Sequence, residues 1–511
     1  MESKEILMEA ARHWMAMSDF RQQRRRCKDY TYGRQWNDTV VVDGNRMREE
    51  DYIRQQGNIP LKNNLIRRIV RNVLGVFRNQ YSLPGMSDLH IEPGSEEERR
   101  YRGLIEDASA ENLFELYCRT MEEFLISGLA VHRKRLVRRG ARLRVATATV
   151  GADSFFLDSE MRDFRGLDVS AVGQIHDVAF STLCSRFARH VDDVSRLRAI
   201  YTAATPDALA SGFRSFGMPG DRMIDFLTPA AAGACRVVEY WRKETREVYR
   251  CHDTRRGEIY KICKEDYPEL VEAENMRRGK LHRRQGRPLH GGGLIEAEWM
   301  IEEVWRYYFL APTGETLCSG ESPYGHGGHP YVFKAYPYID GEIQSFVADC
   351  IDQQRYINRL ITLYDWIMRA SAKGVLLFPE GALPEDVDID DISEEWSRFN
   401  GVIVFRPKAG MPLPQQVSSN ATNIGITDLL QVQLKMMEDV SGVNSALQGN
   451  IESGAVSGTL YNMQIRNAMT GLLDMLESYA SFMRDASRLE MGLTPLPDRC
   501  RAAEGGGGLC R

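Results

Sequence analysis

The sequence predicts a predominantly helical α+β fold, and three stretches carry that reading. The first is residues 341–374, GEIQSFVADCIDQQRYINRLITLYDWIMRASAKG. Its apolar residues, from Phe346, Val347, Cys350 and Ile351 through Ile357, Leu360, Ile361 and Tyr364, recur at steps of three and four, so one face is apolar along the whole length. No Pro or Gly interrupts it, and Gly374 follows Lys373 as a stop. One helix of about 31 residues would run roughly 46 Å. A helix that long needs neighbours throughout, either as the spine of a large domain or against copies of itself in a ring. The second stretch, Cys235–Trp241 with Glu247–Cys251 and Ile259–Ile262, has the aromatic and β-branched composition of strands. The third is a last long helix from about Thr459 to Leu489.

A chain of 511 residues exceeds one ordinary core and suggests two to four domains or one shared elongated one. Hydrophobic residues at 43% and charged residues at 27% describe a globular chain, and no run approaches the roughly 18 apolar residues of a membrane helix. The opening MESKEILMEAARHW carries an early acid and no continuous apolar core, so it reads as an amphipathic helix and not a secretory signal. Ten scattered cysteines without a CxxC pair favour reduced thiols over a disulfide framework or a zinc site. With 66 basic against 71 acidic residues the net charge is -5, which excludes wholesale phosphate neutralisation as a source of nucleic-acid affinity.

In chain order, residues 1–33 read as helical. The basic run Arg21, Arg24, Arg25, Arg26 and Lys28 reads as a solvated face. After Tyr32-Gly33-Arg34-Gln35-Trp36, an Asn-led helix starts at Asn63-Asn64 and reaches Phe77. A third helix is expected from Glu96 to Ser127, then a strand pair, Ala130–Arg133 with Leu143–Thr147, about a turn at Arg139-Gly140. Asp153, Asp158, Asp163 and Asp168 around Phe155-Phe156-Leu157 are spaced for turn chemistry rather than for a cation. Helical spacing returns from Val169 to Ala204, and residues 205–234 form a boundary rich in Pro, Gly and Ala. Residues 277–293 read as an exposed basic loop. Strands resume at Trp299–Leu310, with a turn at Pro312-Thr313-Gly314. Beyond the long helix, residues 374–378 and 401–405 are two similar short strands around an acidic segment, Glu385–Glu395. Residues 407–423 are loop, and a helix runs from Thr427 to Val440. A polar loop precedes the last helix, and residues 495–511 read as a flexible tail.

Catalytic patterns are absent from the sequence. No GxxxxGK[ST] or GxGxxG loop is present, so ATP hydrolysis is not expected. Asp386, Asp388 and Asp390 imitate a calcium loop, but Asp391 replaces its Gly and Ser397 its bidentate Glu. His326 and His329, with His290 upstream, lie in a Gly/Pro-rich loop without HExxH. Gly-x-Ser-x-Gly does not occur, and the adjacent Glu302 and Glu303 would face opposite sides of a strand. The expectation is a non-enzyme with no metal and no cofactor.

Several of these motifs occur together in order: aromatic-Gly-x-Gln-Trp, the Asn-led helix, Phe-Phe-Leu-Asp with Asp163 and Asp168, VVEYWRKETREVYR, Ser-Pro-Tyr-x-His-Gly-x-x-Pro, the long helix with Asp352-Gln353-Gln354-Arg355-Tyr356-Ile357-Asn358, then Ser441-Gly442-Val443 and Ser457-Gly458. The set resembles the portal proteins (head-to-tail connectors) of tailed bacteriophages, most closely the podovirus-like group, over about residues 28–490. One departure is that this chain ends soon after its last helix, so any crown is expected to be short. The resemblance implies a portal fold with wing, stem and clip. Residues 1–234 would be the N-terminal wing, 235–340 the clip and adjoining stem, 341–373 the stem helix, and 374–445 a wing return with two short strands. Residues 446–458 would be the tunnel loop, 459–494 the C-terminal helix or short crown, and 495–511 the tail.

It further implies a homo-oligomeric ring, a dodecamer, at one capsid vertex of the virion, assembled in the host cytoplasm. Double-stranded DNA would pass through it without regard to sequence, packaged by the terminase and later ejected. The partners would be the terminase large subunit, head–tail adaptor proteins, and the major capsid and scaffold proteins, with no membrane. Gln448, Asn450, Glu452, Ser453 and Ser457 would line the channel. Arg277, Arg278, Lys280, Arg283, Arg284 and Arg287 would form a docking surface on the clip. The alternatives are another structural component, a head–tail adaptor or scaffold, and below it a DNA-packaging enzyme such as a terminase or nuclease.

Overall fold

The computed structural model describes residues 2–139, 142–203, 224–229, 231, 233–284, 294–373, 375–377, 388–397, 403, 410, 415–417, 425–443 and 458–493. The order begins α1 (Glu2–Ala16), α2 (Ser18–Thr31), β1 (Thr39–Val42), β2 (Asn45–Arg48), α3 (Glu49–Gln55), α4 (Leu65–Gln80), α5 (Glu96–Glu111) and α6 (Leu113–Ser127). It continues β3 (Leu129–Arg139), β4 (Arg142–Thr149), β5 (Phe155–Leu157), β6 (Ala171–Ala179), α7 (Phe180–Phe187), α8 (Val191–Ala203), β7 (Ala234–Asp253) and β8 (Glu258–Cys263). A π-helical turn, Pro268–Glu272, leads into α9 (Ala273–Arg284), followed by β9 (Ile295–Leu310), β10 (Thr316–Glu321), β11 (Tyr331–Ala335), β12 (Tyr338–Ile339) and β13 (Glu342–Ile343). The last elements are α10 (Phe346–Lys373), β14 (Val375–Leu377), α11 (Ile389–Ser397), β15 (Gln415–Val417), α12 (Ile426–Ser441) and α13 (Gly458–Leu493). The chain divides into two units, Met1–Lys28 with Asn72–Ala348 and Met469–Arg511, and Asp29–Arg71 with Asp349–Ala468.

The first unit is built on two antiparallel sheets. One has the order β11-β3-β4, and the other β10-β9-β7-β6-β5 with β8 also on β7. β7 and β9 pair from Val238↔Leu310 to Asp253↔Ile295, a ribbon of roughly 50 Å at about 3.3 Å per residue. Apolar residues between the sheets, among them Val131, Phe155, Leu157, Val172, Trp241 and Tyr331, form one core. Ile6, Ala10 and Trp14 of α1 close a second against Phe156, Ile175, Val238 and Tyr240. The aromatic rings of Phe77, Phe124, Tyr479 and Phe482 interlock, with Phe77 edge-on to Tyr479 at 5.3 Å, and this fastens α13 to α4 and α6.

The strand pair expected before and after Arg139 is present as β3–β4, and the aspartates after Phe155 do act as turn acceptors. Asp168 Oδ2 takes the N–H groups of Arg162 and Asp163 at 2.7 and 3.0 Å. Several expectations are corrected. The helix over 1–33 is two helices separated at Met17, and the helix over 96–127 is broken at Asn112, whose φ of 52° is left-handed. Residues 171–179 are strand before the helices begin. β6 is covered on both faces at its start, and a Cβ on Gly173 would overlap the Phe156 ring, which makes this glycine a packing requirement. Residues 277–284 belong to α9, not to a loop. Gln415–Val417, within the expected loop, is the strand that pairs with β14, and the expected strand at 401–405 lies outside the described residues except Ile403.

The basic run of α2 is not a solvated face throughout, because Arg21 and Arg24 are buried. Arg24 holds Glu123 at 2.6 and 3.0 Å and Asp153 at 3.0 Å. Arg21 lies over the Trp14 ring at 3.6 Å and donates to the Trp14 carbonyl at 2.6 Å. Burial lowers its pKa to about 10. Seven cysteines, Cys27, Cys118, Cys184, Cys235, Cys251, Cys263 and Cys350, stand in no disulfide, whereas Cys318 is disulfide-bonded, which corrects the expectation of reduced thiols throughout.

Candidate functional site

In the second unit the long helix is held by side-chain amides. Gln354, Asn358 and Thr362 recur every four residues on one face of α10, as helical geometry requires of neighbours. That face meets the segment leading into α4. Gln354 Oε1 accepts the Leu65 and Ile66 backbone N–H groups at 2.9 and 3.2 Å. These belong to the first turn of α4, whose N–H groups have no partner within their own helix. Asn64 Oδ1 caps a further one, the Arg67 N–H, at 3.0 Å. Gln354 Nε2 donates to the Asn63 carbonyl at 2.6 Å and to Asn358 Oδ1 at 3.0 Å. Asn358 Oδ1 also accepts the Asn63 N–H at 3.1 Å, while its Nδ2 donates to Gln35 Oε1 at 2.7 Å. Gln35 passes the chain on to Asn64 Oδ1 at 3.1 Å and the Tyr30 carbonyl at 2.9 Å. Thr362 Oγ1 accepts the Leu61 N–H at 3.2 Å, and Trp36 Nε1 donates to the Leu61 carbonyl at 3.1 Å. Gln35, Gln354 and Asn358 are buried, so each bond here replaces one with water.

Beside the amides, buried Glu49 at the start of α3 receives Arg355 at 2.9 and 3.2 Å and Arg359 at 2.5 and 3.0 Å. Glu49 and Thr362 were not singled out in the sequence. Glu49 sits in an ordinary Glu-Glu-Asp run, and nothing local marks it. Elsewhere on α10, Tyr356, Leu363, Tyr364, Trp366 and Met368 are 42–49% exposed. On α12, Leu429, Val432, Met436 and Val440 make a second exposed apolar stripe at steps of three and four.

The basic stretch is only partly available. Arg278 is buried and bidentate to Asp253 at 2.7 and 2.8 Å, and it also holds Glu274 at 2.9 Å. Arg278 keeps the Asp253 carboxyl well below the usual carboxylate range. Arg277 pairs with Glu274 at 2.7 and 3.0 Å, and the two arginines together hold Glu274 at about 2. Lys280, Arg283 and Arg284 continue α9, and Arg287 lies outside the described residues. Gln448, Asn450, Glu452, Ser453 and Ser457 also lie outside them. His326 and His329 act as turn acceptors, taking the Gly328 N–H at 2.9 Å and the Tyr331 N–H at 3.3 Å. Among the described residues no group of three or more His, Cys, Asp or Glu is arranged to hold a metal ion, and no helix is long and apolar enough to cross a membrane.

The long helix is thus locked by amides on one face and carries exposed apolar residues elsewhere. The family model of the Phage P22-like portal protein matches residues 8–495, and the chain belongs to that family. It is a component of the bacteriophage virion, the portal of the phage head, where a ring of copies at a capsid vertex serves DNA packaging. A comparison with curated proteins finds no significant match.

Proposed function

We propose that twelve copies form the ring, and that double-stranded DNA passes its central channel without regard to sequence. The terminase large subunit packages the genome through it, head–tail adaptor proteins dock on it, and the major capsid and scaffold proteins surround it. The ring assembles in the host cytoplasm and later releases the genome. The observation that supports this reading is the pair of exposed apolar faces on α10 and α12, which a single copy leaves in water and adjacent copies would cover. On this reading α10 is the stem helix, residues 1–234 build the wing, 446–458 the tunnel loop and 459–494 the C-terminal helix.

Two excursions compete for the clip. Residues 235–340 share their sheets with earlier strands, since β7 pairs β6 and β11 pairs β3. Residues 374–425 leave α10 as β14 and return to α12 as β15, and these two strands form a sheet of their own. Self-contained pairing suits a segment that projects from a ring. We therefore assign the clip to 374–425 and leave 235–340, with its basic stretch, as a docking surface of the wing. Val432→Glu with Met436→Glu tests the ring: helicity should stay as in the parent while rings give way to monomers. Unchanged rings would remove α12 from the interface.

A further inference from the structure

From Phe124 to Ala152 the sequence holds six arginines and one lysine and no acid. The β3–β4 hairpin lies within this stretch, and its register sorts the charges. Residues opposite each other on paired strands share a face, and successive residues alternate between faces. Arg133, Arg135 and Val137 therefore share one face with Ala148, Ala146 and Arg144, while Lys134, Leu136 and Arg138 share the other with Thr147, Val145 and Leu143. The second face packs: Val145 is buried, and buried Lys134 holds Glu490 at 2.6 Å. On the first face, Arg133 meets Glu239 at 3.0 Å. Arg135, two residues further along, is exposed and has no carboxylate partner among the described residues. Arg186 of α7 stands near both. It is half-buried and equally without a carboxylate partner among the described residues. Burial lowers its pKa, and the charges of Arg133 and Arg135 lower it further. Glu239, the acid beside these three guanidinium groups, is also held by His176 at 2.8 Å and by the Trp241 N–H at 2.9 Å. The face is left with a positive surplus.

We propose that this arginine face, centred on Arg135 and Arg186, binds the phosphate backbone of a DNA duplex lying against the protein, a contact separate from passage through a channel. A guanidinium matches phosphate in shape and can hold two of its oxygens at once. A protein partner would call for an apolar centre, since charged residues are depleted in the core of protein interfaces. Beyond Arg133 the face offers only Val137 and Ala146 among its arginines. It carries no aromatic ring on which an unpaired base would stack, which favours a duplex over a single strand. The net charge of -5 makes the contact local and sensitive to salt.

The full-length protein is titrated with a relaxed, covalently closed circular duplex, which has no end to thread into a ring, at salt concentrations from about 0.05 to 0.2 M. The parent should bind the circle. Arg135→Gln and Arg186→Gln should each weaken binding about eightfold at about 0.1 M salt and lower the slope of log K against log salt by about 0.9 for each contacting copy. Arg138→Gln removes the same charge three residues from Arg135 but from the other face, and should bind as the parent does. Equal losses from Arg135→Gln and Arg138→Gln would reduce the effect to diffuse charge and overturn the proposal. A parent that binds linear duplex and not the closed circle would overturn it too, since DNA would then meet the protein only through its ends. Unchanged binding by Arg135→Gln, an exposed position where folding is not at stake, would likewise overturn it and leave the face to an acidic protein.

Discussion

Gln354 accepts two backbone N–H groups, those of Leu65 and Ile66, with one side-chain oxygen. A residue of the long helix thus completes the first turn of a helix that begins 289 positions earlier in the chain. The orientation of α10 within its unit and the start of α4 are therefore one structural fact. Gln354→Leu keeps the volume and removes both the acceptor and the donor to the Asn63 carbonyl. The expected cost is about 3 kcal/mol, since the groups left behind are buried. Urea unfolding measures the loss, and hydrogen exchange should quicken first at Leu65 and Ile66. An unfolding midpoint equal to the parent's would mean that water replaces Gln354 without cost.

Within the basic stretch, one arginine is structural and its neighbours are candidates for docking. Arg278→Ala leaves buried Asp253 without its bidentate partner and should lower the melting temperature, because α9 loses its tie to the end of β7. Arg283→Glu with Arg284→Glu should leave melting and ring assembly unchanged and weaken partner docking, read as terminase binding to preformed rings. Rings that fail to form with the second pair would make that end of α9 structural as well.

Acid should act in two stages. His329 packs edge-on to Trp305 at 4.7 Å, and burial pushes its pKa from 6.5 down to about 4. A lowered histidine binds its proton more readily unfolded than folded, so its contribution is intact above 6.5 and is lost as pH falls through about 4. For Glu239, burial opposes the charge, but Arg133 at 3.0 Å, His176 at 2.8 Å and the Trp241 N–H at 2.9 Å outweigh it and hold the carboxyl at about 2. That contribution is intact above the ordinary value of 4.5 and falls away toward 2. Melting followed from pH 7 downward should therefore decline in both intervals. Glu239→Gln should make the lower decline shallower, leaving the share of Glu274 and Asp253, and should leave the upper one; a decline unchanged in both would contradict the assignment.

The segment Leu447–Gly458 contains no Lys or Arg, as suits a passage that DNA slides through. Asn450→Lys with Ser453→Lys, repeated around a ring, would add phosphate contacts at one level. Packaging or ejection should stall, and added salt should relieve the stall because the new attraction is screened. Normal packaging at low salt by well-formed mutant rings would put this loop away from DNA.

Periodicity revealed most of the elements, and order revealed the family. The long helix, the strands around Trp241 and Tyr307 and the last helix were all legible as local patterns. The Gln-Trp motif, the Asn-led helix and the Gln354–Asn358 motif were each visible as separate words. Their meeting was not, because amide partners some 290–320 residues apart leave no periodic trace. The same distance hid the burial of Arg24, whose partners Glu123 and Asp153 lie far down the chain. Asn112 was missed for a local reason, since a left-handed asparagine inside a helical pattern looks like any polar residue of the exposed face. A run of arginines does not mark which one faces an aspartate, so the sequence does not set Arg278 apart from its exposed neighbours.

The most direct test of the account is a set of negative-stain class averages of the purified full-length protein, viewed down the particle axis. The account predicts closed rings of twelve copies around an open centre, persisting at micromolar concentration. Single particles of one chain's mass, or open head-to-tail filaments without a closed channel, would contradict it.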